Sequence, residues 1–106
     1  MALLKCRKNS HSIIVTFSGD TTVKLAYRIK SALLRVLQEP VGHFRLDLSQ
    51  ITDTDVTFIQ MLIALNNSLQ RDDRRLSITG CAEDSPVLLV SRMCGIDMRS
   101  LFEFEG

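Results

Sequence analysis

Leu46-Asp47-Leu48-Ser49-Gln50-Ile51-Thr52-Asp53-Thr54-Asp55-Val56-Thr57-Phe58-Ile59-Gln60-Met61-Leu62 changes its hydrophobic period partway along. Its first residues complete the alternation of Phe44-Arg45-Leu46-Asp47-Leu48, and period two predicts a strand with Asp47 on its polar face. Residues 49–55 are polar apart from Ile51 and read as a loop. From 56 to 70 the period becomes helical, with Phe58, Ile59, Leu62, Leu65 and Leu69 on one face. Asp53 and Asp55 lie just before this helix. Both are expected to cap it, because a carboxylate there accepts unpaired N–H groups and sits at the positive end of the helix dipole. A strand feeding an amphipathic helix is half of a crossover, which implies parallel strands with helices packed on their sheet.

The same pattern extends in both directions. Leu4-Lys5-Cys6-Arg7 and Ser12-Ile13-Ile14-Val15-Thr16-Phe17-Ser18 alternate, so two strands are expected with a hairpin turn over 8–11. Residues 18–22 read as a loop containing a helix N-cap. Residues 23–38 form a predicted helix with Leu25, Ala26, Ile29, Ala32, Leu33, Val36 and Leu37 inward. Lys24, Tyr27, Arg28, Ser31 and Arg35 face outward. Glu39-Pro40-Val41-Gly42 stops that helix. Downstream, 71–74 close the second helix and 75–80 form a fourth strand. Residues 86–93 form a third helix, with Val87, Val90 and Met93 as its face and Gly95 as its stop. Residues 96–104 are a helical turn or an edge strand. The expected class is α/β: a single mixed sheet of four to five strands with three to four helices, in the order β-β-α-β-α-β-α.

The chain has 106 residues, 45% of them hydrophobic and 24% charged, with a formal net charge of +1. One domain over 1–106 is expected, with a core of its own. The balance excludes a disordered tail and the strongly basic profile of a nucleic-acid binder. The longest apolar run, 61–65, is too short for membrane insertion, and the N-terminus shows no signal-peptide core. A cytoplasmic location is expected. Charge is unevenly divided: residues 1–45 hold eight basic and two acidic side chains, and 46–106 hold five and ten. Cys6, Cys81 and Cys94 form no paired motif and are expected to be buried structural thiols of a reducing compartment.

No catalytic constellation is present. The five glycines form no phosphate loop or nucleophile elbow. Asp47, Asp53 and Asp55 lie near the end of the third strand, where open α/β sheets bind ligands. A phospho-acceptor receiver would also need an acidic pair after its first strand to hold a metal, and Lys8-Asn9-Ser10 stands there. No metal, no cofactor and no enzymatic activity are expected.

The 46–62 stretch resembles the central segment of STAS domains, the domains of anti-sigma-factor antagonists and their relatives, whose pattern reads L-D-L-S-x-V-x-F-I-D-S-S-G-L-x-x-L. Val15-Thr16-Phe17-Ser18-Gly19-Asp20 is similar to the family's V-x-L-x-G-E strand and turn. Leu88-Leu89-Val90-Ser91-Arg92-Met93-Cys94-Gly95-Ile96-Asp97 is similar to its hydrophobic helix ending in Gly-Leu. The resemblance spans essentially the whole chain. It implies a small regulatory module in which the N-terminus of the second helix carries a serine phosphorylated by a partner kinase, the unphosphorylated form binding that partner. Aligning Asp55 with the family's aspartate places Val56 and Thr57 on the two serine positions, making Thr57 the candidate phospho-acceptor. Phe58 stands at the glycine and Thr22 near the family's acidic position. The implied partner-binding residues are Asp20, Thr22, Asp53, Thr54, Asp55, Val56, Thr57, Gln60, Met61 and Ala64.

On the helical wheel Phe58 falls on the core face. Thr57 falls opposite, with Gln60, Met61, Ala64 and Ser68. Thr57 then reads either as a first-turn residue or as the acceptor. The expected partner is a serine-kinase-like anti-sigma protein. The alternative is a constitutive STAS subunit of a lipid-transport ATPase or of a chemotaxis or signalling complex. A small-ligand cleft near Asp20 and Asp53 is a third class, and a homodimer is compatible with any of them.

Overall fold

Asn9 makes the first turn. Its side-chain oxygen accepts the backbone N–H groups of His11 and Ser12 at 2.9 and 2.8 Å. This folds β1 (Leu3–Lys8) back onto β2 (Ser12–Asp20) as an antiparallel hairpin with Leu4 opposite Phe17 and Cys6 opposite Val15. The computed structural model describes residues 3–22 and 26–105. β3 (His43–Asp53), β4 (Arg75–Thr79) and β5 (Glu103–Glu105) follow in parallel, giving a five-stranded mixed sheet in sequential order. The helices are α1 (Ala26–Val36), α2 (Val56–Arg71), α3 (Pro86–Met93) and the single turn α4 (Met98–Leu101).

The register sorts side chains by face. Ile13, Phe44 and Leu76 lie side by side, as do Val15, Leu46 and Ile78, and all six are buried. Ile29, Leu33 and Val36 of α1, the apolar stripe of α2, and Val87 and Leu88 of α3 join them in one core. The opposite face is polar, as expected of a sheet covered on one side. There Arg75 pairs with Glu103, and Arg45 Nε lies 3.4 Å from Glu105 Oε2.

The structure moves several expected boundaries. Residues 18–20 and 49–53 are strand, not loop. Ser18 pairs with Gln50, Gly19 with Ile51 and Asp20 with Asp53, through register shifts that a side-chain pattern does not reveal. Ile51 is buried by this extension. Residues 23–25, expected to open the first helix, lie outside the described residues, and the helix ends at Val36. On α3, Met93 is 86% exposed, and the buried face is Val87, Leu88 and Ser91. Nearly every position of that helix is apolar, so periodicity could not choose its face. Ser91 is admitted because its hydroxyl donates to the Leu88 carbonyl at 2.9 Å. Residues 96–104 supply both the helical turn and the edge strand.

Two further corrections concern side chains. Cys6 and Cys94 are exposed and Cys81 half-buried, because two of the thiols fall on an edge strand and a helix end. Burial pushes the Cys81 thiol up. Arg74, expected merely to help close the second helix, inserts beneath the α1–β3 connection. Its guanidinium donates to the carbonyls of Leu37, Glu39 and Val41 at 3.1, 3.0 and 3.4 Å and lies 4.9 Å from the Phe44 ring centre.

Candidate functional site

The parallel pairing of β2 and β3 sets Asp20 beside Asp53 at the carboxyl ends of both strands. Thr21 locks the corner: its N–H and hydroxyl both donate to the Asp53 carbonyl, at 2.8 and 3.0 Å. The Asp20 carboxylate accepts the Thr22 N–H at 2.8 Å, and the Asp53 carboxylate accepts the Thr54 N–H at 2.9 Å. Asp53 therefore holds its own turn and does not cap the helix, contrary to expectation. The cap is Asp55, whose extended backbone lets its carboxylate accept the N–H groups of Thr57 and Phe58 at 3.0 and 3.4 Å. Thr54 is buried, with no hydrogen-bond partner for its hydroxyl among the described residues.

Phe58 and Thr57 part at this point. The Phe58 ring is fully buried and meets Phe17 edge-on, with centroids 5.3 Å apart and planes at 79°. Val56 and Thr57 are half-buried in the first turn of α2. Gln60 and Ala64 are exposed and Met61 half-buried one to two turns further on. The fold thus gathers Asp20, Thr22, Asp53, Thr54, Asp55, Val56 and Thr57 into one corner and sends Gln60, Met61 and Ala64 down the helix from it. Asp47 is not part of the corner. It lies mid-strand as expected, its carboxylate accepting the Ser49 N–H at 2.9 Å.

Chemically this corner offers a hydroxyl at a helix N-terminus among three carboxylates. A phosphate on Thr57 would bring about two negative charges to a place where the helix end attracts an anion and Asp55 repels it. Among the described residues no group of three or more His, Cys, Asp or Glu side chains is placed to hold a metal. The strand order is sequential, so the sheet has no point at which winding reverses to open a ligand crevice. No described helix is long and apolar enough to cross a membrane.

One feature escaped the sequence reading. Leu34 is 52% exposed on the wall of an apolar groove between α1 and α2, lined also by Lys30, Leu37, Met61, Ala64 and Ser68. A leucine next to Tyr27 on the outward side of the α1 wheel was the available signal.

The sequence profile described as Mlab, STAS domain matches residues 4–101. No curated protein matches the chain. The structure is similar to an anti-sigma factor antagonist from Mycobacterium paratuberculosis (13% identity, 98% of this chain, 85% of that one, TM-score 0.80). It is also similar to the anti-sigma factor antagonist SpoIIAA in its unphosphorylated form (8%, 98%, 88%, 0.72). The Bacillus cell fate determinant SpoIIAA in its phosphorylated form gives 8%, 98%, 92% and 0.70. At these identities the likeness is one of fold.

Proposed function

Because the chain belongs to the STAS-domain family, we propose that it is a non-enzymatic regulatory module that binds a protein partner through the N-terminal end of α2. The partner is a kinase-like anti-sigma protein, and phosphorylation of Thr57 switches the contact. The observation that supports this reading is the first turn of α2, where the Asp55 carboxylate accepts the Thr57 N–H, just after the strand ends that pair Asp20 with Asp53; the family resemblance is what assigns Thr57 the acceptor position. A dianionic group added there would place like charges together and release a partner with an acidic face.

Capture assays with a histidine-kinase-like anti-sigma protein test the surface. Thr57→Glu, Val56→Glu and Met61→Glu are each expected to weaken capture, and retention of full binding by all three refutes it. Incubation with the partner kinase and ATP, followed by mass spectrometry, tests the switch. An unmodified Thr57 peptide, where a control substrate is modified, removes the switch and leaves the second reading. That reading is a constitutive subunit of a lipid-transport ATPase or of a signalling complex, and it is favoured by Phe58 filling the core where the family pattern has glycine.

A further inference from the structure

β1 is an edge of the sheet and pairs with β2 alone. Its two rows of side chains differ in chemistry. Leu4 lies opposite Phe17 and Cys6 opposite Val15, so both belong to the helix side, where Leu4 packs against the core. Lys5 lies opposite Thr16 and Arg7 opposite Ile14, on the uncovered polar face. Both cations are exposed, and neither forms an ion pair among the described residues. Lys8 differs: its Nζ lies 2.6 Å from Glu39 Oε2.

The hairpin turn fixes which backbone groups stay open. The Asn9 N–H donates to the Ser12 carbonyl at 2.9 Å, and an antiparallel ladder alternates between bonded and non-bonded pairs. Counting back from Asn9 along the unbroken register, Arg7 and Lys5 bond to β2. The N–H and C=O groups of Leu4 and Cys6 point away from it, as those of an edge do.

The other edge shows how a strand meets cations on this sheet. β5 reads Glu103-Phe104-Glu105. Phe104 packs toward the core, and the two glutamates take the open face. There Arg75 Nε donates to Glu103 Oε2 at 2.9 Å, and Glu105 Oε2 lies 3.4 Å from Arg45 Nε. Lys5 and Arg7 are spaced as Glu103 and Glu105 are, on the same face, with no strand beside them. A second copy does not suit the place. β1 against β1 opposes cation to cation, and the glutamates of β5 are already engaged by Arg75 and Arg45.

We infer that β1 is a docking edge for an extended segment of a different protein in which carboxylates alternate with apolar side chains. The segment adds a strand through the outward backbone groups of Leu4 and Cys6. Its carboxylates lie beside Lys5 and Arg7, and its apolar side chains cover Leu4 and Cys6. No residue of this edge belongs to the α2 corner.

The probes are two capped peptides of about eight residues, enough to span one strand. Valine alternates with glutamate in one and with lysine in the other. Each is titrated into the isotope-labelled full chain by NMR, with amide hydrogen exchange mapping the contact. The glutamate peptide is expected to bind about tenfold more tightly, the sum of two attractions gained and two repulsions avoided, with the difference shrinking at high salt. Exchange should slow at the Leu4 and Cys6 N–H groups. Lys5→Glu combined with Arg7→Glu should reverse the preference. Cys6→Pro removes an outward N–H and spares the β1–β2 ladder, so it should abolish binding of both peptides with the remaining spectrum unchanged. If that variant fails to fold, the charge reversal decides. Equal binding by both peptides, an unreversed preference, or protection mapping away from β1 overturns the inference. Absence of binding by either peptide also overturns it, and leaves Lys5 and Arg7 as a guard against edge pairing.

Discussion

Thr57 and Phe58 are adjacent in sequence and differ in every physical respect that bears on function. Phe58 is fully buried against Phe17 and caps the core beneath the site, while Thr57 remains half-buried at the surface. Phe58→Gly, which would introduce the residue of the family pattern, is expected to cost about 4 kcal/mol from the lost ring, the cavity and the helical glycine. Urea unfolding should show this as a fall in midpoint, and an unchanged midpoint would mean that the ring does not anchor α2. The partition of these two residues was legible in the sequence, because the wheel puts Phe58 with Leu62, Leu65 and Leu69 and turns Thr57 away. The separate roles of Asp53 and Asp55 were not. Both have the chemistry of a cap, and only the pairing of β3 out to Asp53 removes one of them from the helix.

At the scale of elements, glycine tests the connections. Gly80 ends β4 with φ +71°, and a Cβ there would lie 2.6 Å from Asp47 Oδ1 and 2.8 Å from Ser49 Cβ. Gly95 follows α3 at φ +72° with nothing within 4 Å. Gly95→Ala should therefore lose only the backbone preference, about 1 kcal/mol. Gly80→Ala should lose more, since the Asp47 carboxylate and Ser49 of β3 must also move. Thermal melts of the two variants check the order, and equal losses would contradict the close approach. Helix cores and strand centres were legible from periodicity. The strand ends of β2 and β3 and the buried face of α3 were not, because backbone pairing leaves no mark on side-chain alternation, and in α3 five consecutive apolar residues precede a serine that is itself buried.

Across the whole molecule, the charge imbalance between the two halves of the sequence takes a definite form. Glu103 and Glu105, from the acidic half, lie across the open sheet face from Arg75 and Arg45, while the helices carry cations and no carboxylates. His43 lies in that face, with Nε2 2.8 Å from Ser77 Oγ and 3.6 Å from Glu105 Oε1. Burial lowers its pKa from the ordinary 6.5, with Arg75 and Arg45 acting in the same direction against Glu105 and Glu103. The unfolded chain therefore binds a proton at His43 before the folded one does. The stabilisation is complete above about pH 6.5 and is lost as pH falls through the lowered native value. Urea midpoints measured between about pH 7.5 and about pH 5.5 should fall, and His43→Gln should flatten that part of the slope. A wild-type slope matching the variant's would show that His43 is not linked to folding.

The sequence by itself determined the α/β class, the element order, the core stripes and the family, because side-chain periodicity and turn chemistry are local properties of the chain. Tertiary structure decided which carboxylates gather at the α2 corner, where Arg74 docks, and that two cationic helices leave an apolar groove open between them. Each of these depends on the register of parallel strands distant in sequence. A shift of one residue there would turn every side chain to the opposite face.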